Sequence, residues 1–117
     1  MKKVLLLLVA LAVIVSCSKE GTDIQGKWLS STDSGELVME LLSGGNGIAY
    51  FRGCSSSDIY WSYSDGDLSI IGGAYNKDFE RYKFEEATLV GEDVIHIKVT
   101  IIRYMGDKTK TLTFTRQ

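Results

Sequence analysis

From Asp23 onward the chain is a succession of short runs rich in β-branched and aromatic residues. Each run is closed off by glycine, asparagine, aspartate or serine, and there is no proline anywhere. This punctuation describes consecutive antiparallel strands joined by tight turns. Eight strands are expected: Gly26–Ser31, Glu36–Leu42, Ile48–Arg52, Asp58–Ser64, Asp67–Ile71, Phe79–Val90, Val94–Tyr104 and Thr109–Arg116. Asp65-Gly66 between the fourth and fifth is a strong hairpin signal, because a type I′ turn needs positive φ at both central residues. A looser stretch, GGAYNKD, separates the fifth from the sixth, and a short helix is allowed near Asn76–Glu80.

Alternation supports the assignment. In the seventh strand Ile95, Ile97, Val99 and Ile101 share one face, while His96, Lys98 and Thr100 share the other. In the eighth, Leu112 and Phe114 oppose Thr111, Thr113 and Thr115. A period of two with one apolar face marks a half-buried strand. Eight short strands in simple succession avoid exposed edges by closing on themselves. The expected fold is therefore all-β, an eight-stranded antiparallel up-and-down β-barrel. A sandwich or half-open barrel is the rival.

The N-terminus carries a different signal. Met1-Lys2-Lys3 precedes an unbroken apolar run, Val4–Val15. A basic start and a run this short read as a secretory signal, since a spanning helix needs about 20 residues. The run ends Ile14-Val15-Ser16-Cys17, which resembles the lipobox of bacterial lipoproteins. That resemblance implies cleavage before Cys17 and lipidation of its thiol and new amine. Residues 1–16 are then a lipoprotein signal peptide, residues 17–23 the lipidated cysteine with a polar tether, and residues 24–117 the barrel domain. Each buried methylene contributes about 0.8 kcal/mol, so two or three acyl chains anchor a small domain firmly. Ser18, where an aspartate would favour inner-membrane retention, points to the outer membrane, with a periplasmic or surface-facing domain. Glu20 and Asp23 are a faint version of the acidic export signal of Bacteroides-type lipoproteins.

Of the thirteen basic residues two lie in the signal segment, which leaves eleven against fifteen acidic and a net charge of −4 on the mature chain. Such a chain, with no basic run, is a poor partner for nucleic acid or an anionic lipid surface. With Cys17 lipidated, Cys54 has no internal partner, so the domain depends on its apolar core. Unpaired cysteine is most often a small buried residue, and burial is the expectation for Cys54.

Gly26-Lys27-Trp28 at the start of the first strand resembles the G-x-W signature of the lipocalin and calycin group. In that group the tryptophan plugs one end of the barrel and an arginine near the end of the last strand packs across it. The last strand here ends Leu112-Thr113-Phe114-Thr115-Arg116, with Arg116 in phase with Leu112 and Phe114. The whole layout resembles the small lipocalin-like domains of Bacteroides-type lipoproteins. The resemblance implies Trp28 and Arg116 as a structural barrel cap and a ligand held inside the mouth.

Candidates for the inner face are Leu37, Met39, Leu41, Tyr50, Ile59, Trp61, Tyr63, Tyr82 and Phe84. Of these, Met39, Tyr50, Trp61, Tyr63, Tyr82 and Phe84 are the expected ligand-binding set, since methionine and aromatics suit an adaptable apolar pocket. The competing reading is that the same side chains simply fill a small core. Asp65-Gly66-Asp67 lacks the further spaced oxygens of a calcium loop. One histidine and no Cys/His cluster give no zinc site, and no nucleophile–base order or phosphate loop is visible. No enzyme activity, cofactor or metal is expected. Two functions follow. In the first, a membrane-tethered barrel binds a small apolar or amphipathic molecule in the cell envelope. In the second, a filled barrel serves as a protein-interaction module, an accessory subunit or inhibitor. A cavity lined by Met39, Tyr50, Trp61 and Phe84 favours the first. A solid core with an exposed aromatic loop near GCSSSD or GGAYNKD favours the second.

Overall fold

The computed structural model describes residues 24–117, so the signal segment, Cys17 and the tether lie outside the described residues. The strands are β1 Gly26–Thr32, β2 Gly35–Leu41, β3 Asn46–Phe51, β4 Ser57–Ser64, β5 Asp67–Tyr75, β6 Arg81–Gly91, β7 Val94–Ile102 and β8 Lys108–Arg116. They form a closed, all-antiparallel barrel in the order β1-β2-β3-β4-β5-β6-β7-β8. Each strand pairs with its sequence neighbour, and β1 returns to β8 through Trp28↔Arg116 and Leu29↔Thr115.

Up-and-down order gives the barrel two unlike ends. The base holds Ile24, the 3-10 turn Ser43–Gly45, the β4–β5 and β6–β7 turns, and the C-terminus. The mouth holds the four loops that join β1 to β2, β3 to β4, β5 to β6 and β7 to β8. At the base, Asp65 and Gly66 have φ of 51° and 82°, the positive pair that a type I′ hairpin requires.

Alternation along each strand sends one row of side chains into a single continuous core. Trp28, Leu37, Met39, Ile59, Ile95, Ile97, Val99 and Phe114 have no solvent exposure. Phe84 and Phe114 meet edge-on at 6.2 Å, and Phe51 and Tyr82 at 4.8 Å. Each such pair contributes about 0.5–1.5 kcal/mol beyond its buried area. In β6 the register shifts between Phe84 and Glu86, so Glu85 and Glu86 are both solvent-exposed before the apolar row resumes at Ala87 and Leu89. A bulge of this kind resets the inward phase without ending the strand.

The base is fastened by the first and last strands. Trp28 Nε1 donates to Ile24 O at 2.9 Å, and the Arg116 guanidinium carbon stands 4.5 Å from the centre of the Trp28 ring. Arg116 also donates from Nε to Asp93 Oδ1 at 3.0 Å, from Nη1 to Gln25 O at 3.2 Å and from Nη2 to Glu92 O at 2.8 Å. One guanidinium thus ties together the chain's approach to β1, the β6–β7 turn and the end of β8.

Several elements differ from the sequence expectation. β5 runs on to Tyr75 and β6 starts at Arg81, so GGAY is strand and not loop. The alternative of a helix near Asn76–Glu80 gives way to a loop organised by one asparagine side chain, described below. Tyr50, expected on the inner face, lies on the outer one. It pairs with Val38, and its hydroxyl donates to Glu40 Oε2 at 3.3 Å. The inward row of β3 is instead Gly47, Ala49 and Phe51. Gly47 sets that phase: a Cβ there would meet Glu40 O at 2.5 Å and the Ile59 side chain at 3.0 Å. Only glycine lets β3 pass that close to Ile59.

Candidate site at the barrel mouth

The remaining expected ligand residues do face inward, but they are spread along the barrel and packed. Met39 pairs beside Trp28 near the base. Trp61 is 9% exposed, and its Nε1 donates to Leu42 O at 2.9 Å and Asn46 O at 2.8 Å. Those two bonds pin the Ser43–Gly45 turn, so the polar atom of Trp61 is already engaged by the protein. Tyr63 is half-buried against the core near the base. Phe84 sits at mid-height opposite Val99 and Gly72, and Tyr82 lies just below the mouth, opposite Ala74 and Ile101. An eight-stranded barrel is about wide enough for its own side chains to fill. These do so.

Above them the mouth is bridged. Tyr82 Oη lies 2.9 Å from Ser34 Oγ, and Asn76 Nδ2 donates to the same Ser34 Oγ at 3.0 Å. Ser34 belongs to the β1–β2 turn and Asn76 to the β5–β6 loop. In a ring of eight strands these two loops are diametrically opposed. Their contact therefore spans the full opening.

Asn76 is 3% exposed and uses its whole side chain. Oδ1 accepts from the backbone N–H groups of Asp78 at 2.9 Å and Glu80 at 3.0 Å, while Nδ2 also donates to Glu80 Oε1 at 2.8 Å. Asparagine favours such local side-chain-to-backbone turns. The backbone adds Asn76 N–H to Glu80 O and Phe79 N–H to Asn76 O, both at 3.0 Å. The loop so fixed carries Phe79 outward, 86% exposed, with φ of 62°. For a bulky L residue this left-handed conformation costs about 1–2 kcal/mol.

The bridge divides the mouth. On one side lies a groove of about 480 Å³, lined by Gly53–Ser56 of the β3–β4 loop, by Ser57 at the start of β4 and by Tyr75, Asn76, Lys77 and Phe79. Cys54 is half-buried in it and is the one free cysteine among the described residues. On the other side the β7–β8 loop presents Tyr104 and Met105, both almost wholly exposed. Among the described residues no group of three or more His, Cys, Asp and Glu side chains converges as metal ligands would.

Sequence reasoning did not find Ser34 or Asn76, because a contact across the ring leaves no periodic trace. The available signal was local: asparagine two residues before Asp78 in YNKDFE is an Asx-turn pattern. No protein-family model, curated protein or solved structure matches the chain.

Proposed function

We propose that this chain is a lipid-anchored envelope protein, a lipocalin-like barrel that acts through its mouth as a protein-interaction module. The bridged mouth over a packed interior carries this reading. Ser34, Asn76 and Tyr82 bridge the mouth across the route by which a ligand would enter. A rigid loop at the same end displays a bare aromatic side chain. A buried core below and an exposed aromatic at a fixed position above is the arrangement of a recognition surface, where a few anchored aromatics dominate binding. Cys17 supplies the anchor on this reading, and the outer membrane is the proposed location.

A second reading keeps the small apolar or amphipathic ligand but moves it out of the barrel. The groove between Gly53–Ser57 and Tyr75–Phe79 is large enough for a small molecule and mixes serine hydroxyls with aromatic walls. Native mass spectrometry of the unlipidated chain, Ser18 to Gln117, taken directly from cell extract and again after incubation with envelope lipids, separates the two. A bare protein mass in both samples is expected for the interaction module. An added mass that disappears on denaturation would replace it with the ligand-binding reading.

A further inference from the structure

The tip of the β1–β2 hairpin differs from the rest of the wall. Its residues, Ser30-Ser31-Thr32-Asp33-Ser34-Gly35-Glu36, include no apolar side chain. Only Ser30 is buried, at 2% exposure. The tip thus adds nothing to the apolar core, and moving it exposes no apolar side chain of its own. The ladders on both flanks also stop at its foot. β1 pairs with β8 only at Trp28↔Arg116 and Leu29↔Thr115, and β2 pairs with β3 from Leu41↔Gly47 up to Leu37↔Phe51. On the β8 side a groove of about 420 Å³ opens above Leu29, with Ser30 and Ser31 on one bank and Lys110 to Thr113 on the other.

Side-chain ties hold the tip above those ladders. Lys110 Nζ stands 3.2 Å from Asp33 Oδ2, and the two side chains are 37% and 86% exposed. An ion pair so open to water is a weak fastening. Ser34 Oγ contributes the two bonds across the mouth, to Tyr82 Oη and Asn76 Nδ2. The β3 side is firmer: the Arg52 N–H donates to Glu36 O at 2.9 Å, and Arg52 Nε pairs with Glu36 Oε1 at 3.1 Å. Within the turn, Thr32 Oγ1 donates to Gly35 O at 2.8 Å and accepts from the Ser34 N–H at 3.0 Å, which makes the turn one body. The far side of the bridge is fixed without Ser34. Asn76 keeps its bonds to Asp78 and Glu80, and Tyr82, 4% exposed, packs edge-on against Phe51. When the bridge parts, the tip is the side that moves.

We propose that the β1–β2 tip is a flap over the mouth, hinged on its β2 side at Glu36 and Leu37 and latched by Asp33 to Lys110 and by Ser34 to Tyr82 and Asn76. Open, it joins the β1–β8 groove to the mouth and turns the Tyr82 hydroxyl and one Asn76 amide proton to the solvent. Lids are drawn from elements of low local stability, and this tip has few backbone partners and no core side chain. The inference goes beyond either function proposed above and holds under both.

The test is the rate at which a soluble maleimide labels a thiol behind the flap, read site by site by mass spectrometry on the full-length chain in detergent. Cys54→Ser is the background, and Ser30→Cys is the probe. Leu112→Cys, on the opposite bank of the groove, is a second probe, and Val99→Cys in β7, with no solvent exposure, is the control. Asp33→Asn should speed labelling at 30 and 112 about two- to fivefold, and Ser34→Ala about tenfold, with no change at 99. Raising the salt to about 1 M should reproduce the effect of Asp33→Asn and add nothing to it. Rates at 30 and 112 that neither substitution changes would overturn the flap and leave a static bridge. Rates that rise equally at 30, 112 and 99 would also overturn it, since global unfolding would then be the opening step.

Discussion

Arg116 and Phe79 are opposite cases of one side chain under constraint. Arg116 is 25% exposed and spends its donors on Asp93, Gln25 and Glu92 while its plane covers Trp28. A lysine there keeps the charge but loses the planar fork. Arg116→Lys is expected to destabilise the domain by about 1–2 kcal/mol, read from the shift in a urea midpoint. Phe79 is constrained by its backbone instead. Phe79→Asn places a residue tolerant of the left-handed region at a φ of 62°, and is expected to stabilise by about 0.5–1 kcal/mol. In a domain of this size that raises the melting temperature by about 2–8 °C. A stabilising change that removes binding is the signature of a residue kept for function. A lower melting temperature would show that Phe79 supports the fold. Tyr50 shows how a single side chain defeats a pattern. In the run Ile48-Ala49-Tyr50-Phe51 both alternating faces are apolar, and period two cannot choose between them. Tyr50 then serves the outside, covering Val38, which is 1% exposed although it faces away from the core.

At the scale of elements, the strands were legible because each signal is local: alternation within the strand and turn chemistry at its ends. The Asp65-Gly66 hairpin, the inner row of β7 and the order of the strands all follow from residues close in sequence. The unequal strength of the seams is not local. β7 pairs with β8 over eight register positions, while β1 pairs with β8 over two. Beyond Leu29 the facing backbones of β1 and β8 leave a groove lined by Ser30, Ser31, Lys110, Thr111 and Thr113. Few shared hydrogen bonds mean low local stability. Native-state hydrogen exchange should therefore be fastest, among the strands, in the amides of β1 beyond Leu29 and slowest in β7, which is paired on both sides along its length. Uniform protection around the ring would show that side-chain packing, and not the ladder, holds the β1–β8 seam. The β5–β6 loop is the other element that sequence left open. Its composition allows a short helix, and the tie from Asn76 to Ser34 decides against it. Asn76→Ala strands Ser34 and the N–H groups of Asp78 and Glu80, and is expected to cost about 2–3 kcal/mol.

Across the whole molecule, the barrel is held by one apolar core with no disulfide among the described residues. A domain of this size has about 5–15 kcal/mol of stability in all. Phe114→Ala, which empties a fully buried site against Phe84, is expected to remove about 3–5 kcal/mol, a large share of that margin, as measured by chemical denaturation. What the amino-acid sequence determined by itself was the number of strands and their order. Period-two alternation and short turns are properties of neighbouring residues, whereas the choice of a closed barrel over a sandwich or half-open barrel was made by the pairing of β1 with β8. Beyond that closure, what only the tertiary structure decided was the state of the mouth. Ser34 and Asn76 are 42 residues apart, and Tyr82 reaches Ser34 across 48. Arg81 comes to lie between Tyr75 and Ile102 only through the registers of β5 on β6 and β6 on β7. Contacts of that reach depend on how the ring closes and how far each strand slides along its neighbour. A barrel with a bridged mouth and an open one can therefore share the same local pattern.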